Sequence, residues 1–289
     1  MDNSANQNYF HINVQPVSGA LGAEITGVDI SLPLDAEVVE EIRNAFLSHL
    51  VIFFQNQVIT PQQQLNFAEQ FGIPMEYPQL KGLPECPLVT EVIKLEHEKL
   101  NFGGVWHSDT AYLKQPPMAS MLYAIEIPPY GGDTIFSNQY MAYENLSDGF
   151  KKTLSELIAV NSSSKPEVSM TREDRMSEAG MELNVLDALH PAVRTHPETG
   201  RKSLYVNKAH TTHFEDWTEQ ESKSLLEFLF HHQVRTEFTC RFSWEKNSLA
   251  FWDNRCVQHN PVNDYHGFRR IMHRVTLTGE NRPIPATAN

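Results

Sequence analysis

The sequence predicts a mainly β protein with a double-sheet core and helices at its periphery. Three observations carry this prediction. Short runs rich in β-branched and aromatic residues, bounded by Gly, Pro, Asn or Asp, recur along most of the chain. Helical patterns are few, and two of them open on capping boxes, Thr60 to Gln63 and Thr218 to Glu221. No internal repeat is visible, so neither a solenoid nor a propeller is indicated. A chain of 289 residues can bury a sizeable core without disulfides or structural metals.

The elements follow in order. Residues 10–17 and 22–30 read as short strands joined by a Ser-Gly turn. Asp35 is the expected N-cap of a helix running to Leu50, with Val38, Ile42, Ala45 and Phe46 as its apolar stripe. Val51, Ile52, Phe53 and Phe54 form a continuous apolar strand. Pro61 takes the first helical position after Thr60, and that helix is expected to stop at Gly72. Residues 73–100 read as a loop holding one strand near 88–93. A strand is expected at 119–127, then a turn through Gly131 and Gly132, then a strand starting at Asp133. Residues 140–146 and 151–160 look helical. Residues 161–182 are Ser-rich and charged and carry three methionines, which suits a lid or insertion better than a linker. Strands are expected at 190–197, 202–206, 235–242 and 248–252. The second capping box opens a helix to His232 with Leu225, Leu226, Phe228 and Leu229 inward.

Composition narrows the function. The formal net charge is −13, and no Lys/Arg cluster offsets it. Such a surface repels nucleic acid and anionic membranes, so a small-molecule partner is expected. Capture of an anion would have to rely on a few inward-facing cations. Cys86, Cys240 and Cys256 are scattered and form no Cys-x-x-Cys, so reduced cysteines and a cytoplasmic location are expected. The N-terminal residues are polar, and no apolar stretch approaches the ~20 residues of a membrane span.

Three stretches carry chemistry. In the first, Trp106-His107-Ser108-Asp109, extended backbone would point His107 and Asp109 the same way. Together they are two-thirds of a 2-His-1-carboxylate triad, which holds Fe(II) and leaves coordination positions open. The second begins Trp252-Asp253-Asn254-Arg255 and ends at His259, a candidate third ligand. In the third, Phe268 to Leu277, Arg270, Met272 and Arg274 share one face of a strand. Two buried arginines call for anionic partners, since an unpaired buried charge is very costly.

These motifs, with Gly131-Gly132-Asp133-Thr134, resemble the taurine dioxygenase/2,4-dichlorophenoxyacetate dioxygenase family. The similarity runs from about Leu21 to Arg274. The resemblance implies a double-stranded β-helix, or jelly-roll, forming one dioxygenase domain over residues 1–289. It implies Fe(II) on His107, Asp109 and His259, with 2-oxoglutarate and O2 as co-substrates. Arg270 and Thr134 would hold the distal carboxylate of 2-oxoglutarate. Arg274 would hold an anionic group of the primary substrate, with Tyr77 and Gly103 beside it. Trp106 and Trp252 would wall the pocket. The implied reaction hydroxylates a small anionic molecule, a sulfonate, sulfate ester or aryloxyalkanoate, and releases succinate and CO2. A homo-oligomer, dimer or tetramer, is expected. Two alternatives stay open: an oxygenase of the same family acting on a larger metabolite, and a non-catalytic metal-binding jelly-roll. Taurine itself is disfavoured. Pro74-Met75-Glu76-Tyr77 keeps only the tyrosine of the taurine pattern, and Gly103 stands where that pattern has Asn.

Overall fold

Val51–Phe54 lies in the middle of the main sheet, and its four side chains are all buried. The strand is apolar on both faces because both are covered. Val51 and Phe53 face the interior between two sheets, while Ile52 and Phe54 face a layer of helices. Burying each such side chain contributes roughly 1.5–3 kcal/mol, which fixes this run at the centre of the core.

The structure is a computed structural model describing residues 8–78, 80–165, 184–279 and 282–286. Among these, the main sheet has the strand order Asn13–Pro16, Ala23–Thr26, Val51–Phe54, Leu249–Asp253, Ala119–Glu126, Arg270–Leu277, Cys86–Lys94, Gly82–Leu83; Pro74–Met75 also pairs with Arg270–Leu277. Its pairings are antiparallel except that of Ala23–Thr26 with Val51–Phe54. A smaller sheet orders Thr239–Phe242, Thr134–Asn138 and Val257–Pro261. Its Phe136, Phe242 and Val257 pack against Val51, Phe53, Trp252 and Met272 of the main sheet. Phe53 stacks on Phe242 at 4.1 Å. These two sheets form the jelly-roll core.

Helices Ala36–His49 (α1) and Pro61–Glu69 (α2) cover the outer face of the main sheet through Ile42, Ala45, Phe46, Leu65, Phe67 and Ala68. The capping box at Thr60 forms as expected, with Pro61 at the helix start. Asp35 is the N-cap of α1, but its side chain makes no capping bond. Gln139–Glu144 (α3), Asp148–Ser155 (α4) and Glu219–His232 (α5) belong to a separate cluster around Leu154, Val193, Leu204, Phe214 and Leu229. No helix among the described residues is long and apolar enough to cross a membrane.

Several expectations are corrected. The helix expected over 151–160 ends at Ser155, and Ile158–Ser162 is a strand pairing with Asp187–Pro191 and Thr211–Phe214. Partner strands on both sides outweigh the helical spacing of the apolar residues. Asn161, Ser162 and Ser163 are therefore buried, not the start of a lid. The rest of that lid, 166–182, lies outside the described residues. The strand expected at 190–197 is two, Asp187–Pro191 and Val193–Thr195. That at 235–242 begins with a 3-10 turn, Thr236–Phe238. Phe228, expected inward, is half exposed, whereas Leu226 and Leu229 are buried.

Candidate metal and 2-oxoglutarate site

The candidate site forms where the chain's two candidate metal-ligand stretches pair. His107 and His259 face each other across an isolated antiparallel bridge, with backbone bonds of 3.1 and 2.9 Å in the two directions. This bridge brings together residues far apart in sequence. His107-Ser108-Asp109 is not a regular strand. Asp109 lies in a turn, followed by Thr110 with φ +41°. The shared direction of His107 and Asp109 therefore comes from the bridge and turn rather than from a pleat.

His107, Asp109 and His259 are all buried, and their ligand atoms converge. Asp109 Oδ1 lies 3.5 Å from His107 Nε2 and 3.8 Å from His259 Nε2. The His107 Nδ1 is 2.6 Å from the carbonyl of Val105. A carbonyl only accepts, so Nδ1 carries the proton and the Nε2 lone pair is left for a metal. Burial pushes His259 well below its ordinary value, so it is neutral at pH 7. Burial opposes ionisation of Asp109, but the Arg274 guanidinium holds it well below the usual carboxylate range. A neutral His259 imidazole and an ionised Asp109 carboxylate are protonation states that metal ligation requires.

The carboxylate is used unequally. Its Oδ2 accepts from the Ser120 hydroxyl at 2.7 Å and is ion-paired with Arg274. Its Oδ1, buried, has no hydrogen-bond partner among the described residues. A buried acceptor without a donor costs about 1–3 kcal/mol. Fe(II) facing Oδ1 and the two Nε2 atoms would satisfy it, so the residues fit the metal.

Around the triad lies a cavity lined by Val92, Phe102, Gly103, Leu122, Thr134, Phe136, Trp244, Trp252, Pro261, Arg270 and Arg274. Both arginines reach it, as their shared strand face requires. Arg270 is buried, and its Nε and Nη2 have no hydrogen-bond partner among the described residues. Beside it, Thr134 accepts a hydrogen bond from Trp244 Nε1 at 3.0 Å, while the guanidinium lies over the Trp244 ring. Arg274 differs. It is tied to Asp109, to Ser120 at 3.1 Å and to Thr276 at 3.3 Å, with the Tyr77 ring 4.7 Å away. Trp252 lines the cavity; Trp106, half-buried, does not. At Gly103, φ is +68° and an added Cβ would come within 3.0 Å of the His107 ring.

Sequence reasoning missed Ser120 and Asn254. Asn254 donates to Ser120 at 3.0 Å and accepts from Trp252 Nε1 at 2.9 Å. The available signal was a lone serine in the otherwise apolar start of the 119–126 strand. His210 is also close, its ring 6.1 Å from His107 and 5.0 Å from Tyr112.

Comparison with known proteins decides the family. The profile described as taurine catabolism dioxygenase TauD, TfdA family matches residues 13–276. The chain belongs to the TauD/TfdA family. It is 34% identical to an alpha-ketoglutarate-dependent sulfate ester dioxygenase of Pseudomonas putida, over 93% of this chain and 90% of that one. It is 32% identical to an alkylsulfatase of Acinetobacter baylyi, over 93% and 86%. A crystal structure of a taurine dioxygenase from Burkholderia xenovorans superposes with a TM-score of 0.82, 36% identity and coverage of 96% and 94%. This TauD/TfdA protein is accordingly an oxidoreductase that uses Fe(II), 2-oxoglutarate and O2 and acts on a small molecule.

Proposed function

We propose that the enzyme hydroxylates an alkyl sulfate ester, or a related sulfonate, at the carbon bearing the anionic group, with release of succinate and CO2. The observation that carries this reading is one cavity joining three elements: His107 and His259 of the triad, the guanidinium of Arg270, whose Nε and Nη2 have no hydrogen-bond partner among the described residues, and walls of Val92, Phe102, Leu122, Phe136 and Trp252. Bound iron with 2-oxoglutarate and O2 supplies the oxidant for an unactivated C–H bond.

The chain's own residues supply placement. Arg270 Nε and Nη2 present a two-pronged donor that matches a planar carboxylate, the distal end of 2-oxoglutarate. Thr134 stands beside it to add a hydroxyl contact. Arg274 lines the same cavity, so its guanidinium can meet the substrate anion while Nη2 stays on Asp109. The apolar walls suit an alkyl chain and keep water from the reacting carbon.

Gly103 favours sulfate esters over taurine. A side chain there would press on His107, and none is present to meet an amine. The names of the Pseudomonas and Acinetobacter relatives agree with this choice. Hydroxylation at the carbon carrying the ester oxygen gives an unstable adduct that collapses to an aldehyde and inorganic sulfate.

A cytoplasmic dimer or tetramer, one dioxygenase domain with no nucleic-acid or membrane partner, belongs to the same reading. Three buried free cysteines support the reducing compartment, and the −13 charge supports the lack of a nucleic-acid or anionic-membrane partner. Light scattering checks the assembly. The substrate is tested with a panel of alkyl sulfates, alkyl sulfonates, taurine and aryloxyalkanoates, scored by succinate release. Alkyl sulfates should give the highest kcat/KM. A preference for taurine, or for an uncharged molecule, would overturn the assignment.

A further inference from the structure

We propose that Ser120 is a positioning residue that keeps Asp109 a one-oxygen metal ligand, with Asn254 aiming the serine. This rests on the reading of Asp109 as an iron ligand. Ser120 is fully buried at the start of the Ala119–Glu126 strand, whose register places it opposite Trp252 and Thr276. Three polar groups surround its hydroxyl. Asn254 Nδ2 lies at 3.0 Å, Arg274 Nη2 at 3.1 Å and Asp109 Oδ2 at 2.7 Å.

The direction of these bonds is forced. An amide NH2 and a guanidinium can only donate, so they occupy the two lone pairs of the serine oxygen. The single hydroxyl proton has one acceptor left, Asp109 Oδ2. That oxygen then takes two donors, Ser120 and Arg274, and Oδ1 faces the histidines with none. Asn254 is itself held, since its Oδ1 accepts from Trp252 Nε1 and, at 3.4 Å, from the Asp109 backbone N–H. A chain of fixed polarity thus runs from Trp252 through Asn254 and Ser120 to the carboxylate.

The consequence concerns coordination number. A carboxylate whose second oxygen is free can bind a metal with both oxygens and consume a position that the co-substrates need. With Oδ2 saturated, Asp109 offers one oxygen and three positions stay open. Partners of this kind, behind the ligands of a metal, typically change metal affinity by about 10–100-fold.

The test uses Co(II) as the probe, added to metal-free enzyme, with affinity from chelator competition and geometry from the visible ligand-field absorption. Ser120→Ala and the near-isosteric Ser120→Cys, a weak donor, should bind Co(II) roughly tenfold or more weakly. Their absorption should be altered as Asp109 becomes bidentate. Ser120→Thr keeps the hydroxyl and should stay within about twofold of the wild type. Circular dichroism on the metal-free proteins confirms that folded species are compared. Wild-type affinity and spectrum in Ser120→Ala and Ser120→Cys would overturn the proposal. So would a Ser120→Thr protein as weak as Ser120→Ala. A wild type that binds no Co(II) would instead defeat the metal reading itself, which separates the two failures.

Discussion

Among the described residues, two buried clusters place histidine, aspartate and further metal-ligand side chains within ligand-to-ligand distance of one another. One is His107, Asp109 and His259; the other is His196, Asp253 and Cys256. Distance alone does not tell them apart. Hydrogen-bond accounting does. Asp253 Oδ1 accepts from the backbone N–H and Nε of Arg255, and Oδ2 accepts from Arg255 Nη2 and His196 Nε2. His196 Nδ1 accepts from the N–H groups of Glu198 and Thr199. Arg255 also reaches Glu198 at 2.6 Å. The Asp253 carboxylate and both His196 ring nitrogens are therefore satisfied, and the cluster works as a clamp on the 196–199 turn. In the first cluster Asp109 Oδ1 is left without a donor, and nearby Arg270 Nε and Nη2 are left without acceptors. Unsatisfied atoms of a carboxylate and a guanidinium beside one cavity are what an ion and an anionic ligand would complete.

The largest effect should come from removing the carboxylate of the first cluster. Asp109→Ala is expected to abolish activity, by about 10³-fold or more, since even partners behind a metal ligand cost about 10–100-fold. Succinate release measured with excess Fe(II) checks it. Arg270→Ala should raise the 2-oxoglutarate KM by a factor reflecting roughly 2–5 kcal/mol, the cost of losing a charge-assisted contact. Steady-state kinetics at saturating substrate reads this directly. Arg274→Ala should behave less cleanly, because it strips a partner from Asp109 as well as the substrate grip. Both the substrate KM and the substrate-independent turnover should suffer.

In the clamp, the effect should be on stability. Arg255→Met leaves Asp253 a buried charge with His196 as its remaining side-chain partner, at about 3–5 kcal/mol. That corresponds to a Tm drop on the order of 10 °C for a chain of this size. Thermal unfolding measures it, and the surviving folded enzyme should keep its 2-oxoglutarate KM. A variant of normal Tm but weakened co-substrate binding would merge the two clusters into one functional unit.

A smaller effect concerns another buried histidine. His190 Nε2 bonds the Leu113 carbonyl, and burial pushes its pKa from 6.5 down to about 4. Between those values the unfolded chain binds the proton and the folded one does not. Its contribution is thus fully present above pH 6.5 and is lost as pH falls toward 4, about 3 kcal/mol in all. Urea unfolding at several pH values should show this share in the wild type and not in His190→Gln.

The comparison also shows what a sequence reveals. His107, Asp109 and Arg270 were legible because charged and imidazole side chains in apolar surroundings demand partners. The pairing of the two arginines was not, because Arg274 meets Asp109 only through the fold. Asp253 and Arg255 sit in the same motif as His259, and nothing in their spacing distinguishes a clamp from a site. Ser120 and Asn254 are neutral, so their placement carries no charge signal. In the fold, the double-covered Val51–Phe54 strand and both capping boxes were readable from local pattern. Ile158–Ser162 was not, because its strand state comes from partners at 187–191 and 211–214.

The most direct test of the account is anaerobic addition of Fe(II) and 2-oxoglutarate to the metal-free enzyme, followed by visible absorption. Chelation of the 2-oxo acid at iron held by His107, Asp109 and His259 should give a charge-transfer band. That band should reach half-height at a much higher 2-oxoglutarate concentration in Arg270→Ala and should be absent in Asp109→Ala. No band in folded, iron-loaded wild type, or an unchanged band in Asp109→Ala, would contradict the site.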